Sequence, residues 1–186
     1  MNSKQKAIEK IHYTLISHLE NLSIMGNGWT KELNRISWND GPEKFDVREW
    51  DSQHTRFSRG AVLTDEQMND LARSYTYWKD RGKTLEKRVA EGEKDSIIES
   101  GISIVFYGHV GSLGRVNERG WRKEMNICSW NNQTPMYDLR DWSPNHRRMS
   151  RGVQFTEEEL SLLCSAYFKY EQTRLTQDIF GDEEAV

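Results

Sequence analysis

The chain contains two cysteines, Cys128 and Cys164, in 186 residues. Neither has metal-ligand spacing around it, so a disulfide scaffold and a zinc site are both excluded, and buried thiols in a reducing compartment are expected. No apolar run approaches the ~20 residues that a membrane span needs. The stretch Met1 to Lys10 is polar and has no apolar signal core, which predicts a cytoplasmic protein, nucleoid-associated if bacterial, with no membrane partner. No P-loop occurs, no GxGxxG follows a strand, and no HxxxH, CxxC or acidic metal cluster appears. His54 and His146 invite a catalytic reading, but no Ser or Cys nucleophile accompanies them at matched positions. A hydrogen bond that steadies a loop is the expected role of both. No enzyme and no cofactor are expected.

What the chain has is one stretch written twice. Gly28-Trp29-Thr30-Lys31-Glu32-Leu33-Asn34-Arg35-Ile36-Ser37-Trp38-Asn39 runs on to Phe45-Asp46-Val47-Arg48-Glu49-Trp50. Gly120-Trp121-Arg122-Lys123-Glu124-Met125-Asn126-Ile127-Cys128-Ser129-Trp130-Asn131 runs on to Tyr137-Asp138-Leu139-Arg140-Asp141-Trp142. The offset of 92 holds without a gap from Gly28 to Thr64, through His54 and His146 and the triplets Ser58-Arg59-Gly60 and Ser150-Arg151-Gly152. Tryptophan recurs at three matched positions, so the chain reads as a tandem duplication. Units of about 80–90 residues are small for self-sufficient cores. The two are expected to pack on each other, or on further copies.

Each unit reads as four strands and then a helix. Ile11, Tyr13, Leu15, Ser17 and Leu19 recur with period two, as do Ile102, Ile104, Phe106, Gly108 and Val110, which predicts a first strand. Trp29–Trp38 and Trp121–Trp130 predict a second, followed by turns at Asp40-Gly41-Pro42 and Asn131 to Pro135. In the third strand Phe45 and Val47 alternate with Lys44, Asp46, Arg48 and Trp50. Tyr137 and Leu139 alternate with Asp138, Arg140 and Trp142. One face is thus apolar and the other carries ions and indoles. A short fourth strand, Ala61–Leu63 or Val153–Phe155, leads to a capping box, Thr64-x-x-Gln67 or Thr156-x-x-Glu159, and a helix. The first unit is placed at 9–81, a linker at 82–101 with some helix in its charged, proline-free part, and the second unit at 102–180. The fold class is α+β, two ββββα repeats packed as an intramolecular pseudo-dimer.

The net charge is −3, which argues mildly against a nucleic-acid partner. The distribution matters more. From Gly28 to Gly60 six bases balance six acids, whereas from Gly120 to Gly152 six bases face three acids. Trp38, Trp50, Trp130 and Trp142 share sheet parity with ions. Aromatic rings beside Lys and Arg on a sheet suit single-stranded nucleic acid, whose bases stack while cations follow the phosphates. Cross-strand packing of the same rings is the alternative. Trp29 and Trp121 are expected in a core or an interface. Arg48 with Asp46, and Arg140 with Asp138, are either structural pairs or positioned phosphate contacts. The density of Arg147, Arg148 and Arg151 resembles a phosphate clamp.

The motif GWTKELN…SWN, then FDVREW, then RGAVLTDEQ, with its second copy, resembles the positive cofactor 4 family of transcriptional coactivators, closest to the bacterial YdbC-like branch. The resemblance covers Ile11–Trp78 and Ile102–Tyr170. It implies a curved four-stranded antiparallel sheet with one helix, acting as a dimer that binds single-stranded DNA along its sheets. It carries base-contacting roles to Trp38, Trp50, Trp130 and Trp142. It carries phosphate-contacting roles to Lys31, Lys44, Arg48, Arg59, Arg122, Lys123, Arg140 and Arg151. Arg35 departs from it, standing on the phase where the second copy has Ile127. The expected activity is sequence-tolerant binding of single-stranded DNA in transcription or another DNA transaction. The expected partners are transcription machinery and a second copy of the two-repeat chain. Single-stranded RNA binding and a protein–protein adaptor are the other readings.

Overall fold

The computed structural model describes residues 11–99 and 101–180. The first unit contains β1 (Tyr13–Ile24), β2 (Thr30–Trp38), β3 (Lys44–Trp50), β4 (Ala61–Leu63) and α1 (Asp65–Asp80). Then come α2 (Leu85–Ala90) and β5 (Asp95–Glu99). The second unit contains β6 (Ile102–Leu113), β7 (Arg122–Trp130), β8 (Met136–Trp142), β9 (Val153–Phe155) and α3 (Glu157–Phe180). Both sheets are antiparallel meanders, ordered β1-β2-β3-β4 and β5-β6-β7-β8-β9. Their central registers repeat at the sequence offset. Leu33 stands opposite Val47 in the first sheet, and Met125 opposite Leu139 in the second.

The expected turns and caps form for local reasons. Between β2 and β3 two consecutive residues, Asn39 and Asp40, adopt positive φ, and Asn131 and Asn132 do the same between β7 and β8. Asn and Asp tolerate that region better than other side chains do. Both capping boxes are made. Thr64 accepts from the Gln67 N–H and donates its own N–H to the Gln67 side chain, and Thr156 and Glu159 repeat the exchange.

Two expectations need correction. The span 82–101 is not a simple linker, because it holds α2 and a fifth strand, β5, paired along β6. The period-two phase of the first strands does not run their full length. Bulges interrupt β1 between Leu15 and Ser17, His18 and Glu20, and Asn21 and Ser23, and they interrupt β6 twice. Each extra residue flips the strand's following side chains to the other face. Ile11 and Leu15 are therefore exposed, whereas Leu19 and Leu22 reach the core. In β6, Phe106 faces one way and Tyr107 and Val110 pack in the core on the other.

One hydrophobic core joins the two units. It runs from Leu33, Phe45 and Val47 through the α1 stripe of Met68, Leu71, Ala72, Tyr75 and Trp78 to Met125, Tyr137, Leu139, Leu160 and Leu163. The helices cross over. The long strand packed most extensively by α1 is β6, and α3 lies on β1. Gly108 and Gly111 permit the first crossing. A methyl at Gly111 would come within 2.5 Å of the Ser74 hydroxyl, and one at Gly108 within 2.9 Å of the Trp78 ring. Polar clamps hold the crossing. Lys31 Nζ lies 2.8 Å from both Glu159 carboxylate oxygens and donates to Gln154 O. Glu157 accepts from the Tyr75 and Tyr137 hydroxyls, Lys79 and the Leu85 N–H. Arg35, buried on the core phase as its sequence position suggested, pairs with Asp65 and Glu43 and lies 4.4 Å over Phe45.

Candidate nucleic-acid interface

Side chains of even number on β2 and β3 project away from the helices, and the same phase holds in β7 and β8. That face carries the four indoles, so the rings do not lie beneath the helices. They are not equivalent, however. Trp50 and Trp142 are each 1% exposed. This corrects the expectation of four accessible rings. Tyr13, Phe57 and His54 surround Trp50, and Phe106 and His146 adjoin Trp142. The loop that follows the third strand covers each ring, bridging Trp50 to Phe57 and Trp142 to Met149. Trp50 and Trp142 form the floor, and Trp38 and Trp130, half-buried, lie on them in near-parallel stacks with centroids 6.4 and 6.3 Å apart.

Against each upper indole, on the side turned towards the lower ring, lies an arginine, 5.9 Å from the centroid of Trp50 or Trp142. The Arg48 guanidinium is 4.1 Å from the Trp38 centroid, and that of Arg140 is 3.9 Å from the Trp130 centroid. Asp46 and Asp138, each 0% exposed, hold these cations through paired hydrogen bonds. They also accept the indole N–H of Trp38 and Trp130 at 3.0 Å. Burial pushes the Asp46 carboxyl above the ordinary carboxylate value, and the Arg48 and Trp38 hydrogen bonds pull against that rise. Of the two readings of these Asp–Arg pairs, the structural one is realised. It fixes each upper indole as a plate with a largely buried cation behind it.

The repeated Arg-Gly follows from the same packing. A methyl on Gly60 would lie 2.3 Å from Val47 O and 2.5 Å from Arg48 Cβ, and one on Gly152 2.4 Å from Leu139 O. Only glycine lets the loop pass this close to the strand that carries the stacked arginine.

The remaining cations divide into two groups. Lys31 and Lys123 do not share the indole surface, contrary to expectation. Their odd positions put them on the helix side, where Lys31 bonds Glu159 and Lys123 bonds Asp141 at 3.1 Å. Lys44, Arg59, Arg122, Arg147, Arg148 and Arg151 form no ion pair among the described residues. All but the half-buried Lys44 are exposed. They lie on the loops and strand ends around the stacked indoles. A groove of about 570 Å³ joins the units there, with Lys31 and Arg59 on one side and Trp130 and Arg140 on the other. Trp29 is half-buried under Arg56 and belongs to no core, nor is Trp121 buried.

His54 and His146 tie their loops to the sheet as expected, each through Nε2 at 2.9 Å from Glu32 or Glu124. A wider constellation lay beyond the sequence reading. Asn34 and His18 join Glu32, and Asn126 and His109 join Glu124, with matched geometry. His18 and His109 are 91 residues apart, not 92, because β1 carries a third bulge that β6 lacks and the connections to the second strands differ in length. Phe57 and Met149 do obey the offset of 92, and that repetition was available in the sequence.

Comparison with known proteins places the second unit. Residues 117–166, which run from the loop before β7 into α3, match the family model described as Transcriptional Coactivator p15 (PC4). The second unit is thus PC4-like. An uncharacterized protein of Treponema pallidum (strain Nichols) is 41% identical over 56 residues, covering 30% of this chain and 66% of that protein. The α+β architecture, with two antiparallel sheets and a C-terminal helix, is consistent with that family's fold.

Proposed function

We propose that this chain is a tandem-duplicated, YdbC-like member of the PC4 family whose two units form an intramolecular pseudo-dimer that binds single-stranded DNA with little sequence preference. The observation that carries the reading is the matched arginine-on-tryptophan stack, Arg48 on Trp38 and Arg140 on Trp130. Indoles accept unpaired bases face to face, each such stack contributing about 1–3 kcal/mol, and the half-buried Trp38 and Trp130 are held in place for it by their arginines. Duplex bases are already stacked and cannot reach these plates. The unpaired cations Lys44, Arg59, Arg122, Arg147, Arg148 and Arg151 would follow the phosphates, and the inter-unit groove gives one strand a path from unit to unit. Trp50 and Trp142 support the plates from below. The family description supports a role at transcription.

Anisotropy titration of a labelled dT 25-mer tests this. The expected result is tight binding at low salt, with log K falling against log[salt] at about −0.7 per phosphate neutralised. A protein at micromolar concentration that leaves the oligonucleotide free at low salt sinks the proposal. A parallel titration with the matched RNA decides between the two nucleic acids.

A further inference from the structure

The second sheet carries an edge strand, β5, that has no counterpart in the four-stranded first sheet. Between the indole side of β5–β6–β7 and the end of α2 lies a cavity of about 440 Å³. Its size is that of a small-ligand site. Phe106, Glu124, Asn126 and His146 line it on one side, and Arg88, Lys94 and the carboxylate of Asp95 line it on the other. Trp130 stacks on Trp142 at 6.3 Å, Trp142 meets Phe106 at 5.5 Å, and Phe106 lines the cavity. An unbroken aromatic path therefore leads from the plate into the hole. In the first unit the strand position of Phe106 is held by Leu15, since both face the residue two before the conserved indole, Cys128 or Ile36.

The polar groups in the cavity are fixed in advance. Glu124 Oε2 accepts from His146 Nε2 at 2.9 Å and Asn126 Nδ2 at 3.2 Å. Glu124 Oε1 receives no hydrogen bond from the described residues. His109 Nδ1 donates to Asn126 Oδ1, which sets the Asn126 amide so that its nitrogen meets Glu124. The result is a carboxylate oriented by two donors, with one oxygen left for a ligand. At the rim, Arg88 holds Tyr107 O and Glu91, yet its buried Nε has no partner.

We propose that this cavity receives one base turned out of a bound single strand, and that the base it prefers is guanine. The inference rests on the single-strand reading above. Guanine offers two adjacent donors, N1–H and N2–H, that converge on the free Glu124 Oε1. Adenine and cytosine set an acceptor beside their amino group, and thymine sets its one donor between two acceptors, so each brings an oxygen or nitrogen lone pair against the Glu124 charge. Phe106 supplies a ring for the base, and Lys94 and Arg88 stand where its phosphate would follow. Paired contacts of this kind discriminate by about tenfold or more.

The test compares a dT 25-mer with the same oligomer carrying a single central dG, dA or dC, in the native chain and in Glu124→Gln. The readout is the ratio of affinities within one protein, so a general loss from a disturbed fold cancels. The dG oligomer is expected to bind native protein about tenfold tighter than the dT oligomer, with dA and dC within about twofold of dT. In Glu124→Gln the dG advantage is expected to fall within about twofold. Free dGMP, but not TMP, is expected to shift the amide signals of Phe106, Gly108 and His146. A dT oligomer that binds while dG gains nothing, or a dG advantage that survives Glu124→Gln, overturns the base pocket and leaves the single-strand reading standing. Failure of every oligomer to bind overturns both.

Discussion

Arg140 packs against the Trp130 ring, its guanidinium carbon 3.9 Å from the ring centroid, and both groups are bonded to the same buried carboxylate, Asp138. Each contact makes the others stronger, because the aromatic neighbours exclude water from the ion pair. Removing the arginine leaves a carboxylate that is 0% exposed without its counter-charge.

Arg140→Ala is therefore expected to cost about 3–5 kcal/mol in urea unfolding. Asp138→Asn combined with Arg140→Ala should cost less than the sum of the two single changes, and a double-mutant cycle measures the difference. Simple additivity would mean that the pair contributes nothing as a unit. The same cycle on Asp46 and Arg48 should give a coupling of the same sign.

Gly152→Ala tests the packing around this pair. Its new methyl would stand 2.4 Å from Leu139 O and 2.8 Å from Arg140 Cβ, so the loop must move away from β8. Overpacking of this kind costs about 1–3 kcal/mol. The indole N–H signal of Trp130 should shift with it, since that proton goes to Asp138. An unchanged signal and unchanged stability would show that the loop does not press on the stack.

How far the sequence disclosed this arrangement depended on which side chains obey strict alternation. In β3 and β8 it holds without interruption, so the division of Phe45 and Val47 from Asp46, Arg48 and Trp50 could be read directly. The first strands carry bulges, and periodicity cannot reveal where an extra residue is inserted. The contact of His18 with Asn34 was hidden for that reason. Parity assigns a face but not a depth. It put Trp38 and Trp50 together correctly, yet nothing local indicated that Phe57, arriving from the following loop, would close over Trp50. For Lys31 the parity it shares with Leu33 already gave the helix side, and only its partner was hidden. Its partner Glu159 is 128 residues away, and only the crossing of α3 onto β1 brings the two together.

The rim arginines should separate binding from stability. Arg147, Arg148 and Arg151 are exposed and form no ion pair among the described residues. Replacing all three with Ala should change unfolding free energy by no more than about 0.5 kcal/mol per site. If each neutralises one phosphate, the salt slope for a dT oligomer should flatten by about 2. An unchanged slope would place the strand elsewhere on the molecule.

The two cysteines should be inert in the folded chain. Burial pushes the Cys164 thiol up to about 12, and burial followed by the nearby Asp138 pushes Cys128 up to about 12. The thiolate is the nucleophile, so iodoacetamide at pH 8 should add nothing to native protein and two adducts in urea. Mass spectrometry reads the count. Rapid modification of native protein would mean that the core opens locally around α3 or β7.

Acid should loosen the attachment of α3. Burial alone would raise the Glu159 carboxyl, but hydrogen bonds from Lys31, Ser23 and the Thr156 N–H outweigh it and hold the group below its ordinary value of 4.5. Glu157 is likewise held down, against burial, by the Leu85 N–H, Lys79, Tyr137 and Tyr75. A carboxyl whose folded value lies below its unfolded one contributes stability that is complete above the unfolded value and is lost as pH falls through the folded value. Lys31→Met removes the partner of a carboxylate that is itself buried. At pH 7 the variant should be less stable by about 3–5 kcal/mol. As pH falls through the lowered folded value, Glu159 takes up a proton in the native chain too, and the gap between the two proteins should narrow. Urea unfolding at pH 7, 5, 4 and 3 measures it. A gap that stays constant across that range would show that Lys31 acts through packing alone and that its charge does not hold the two units together.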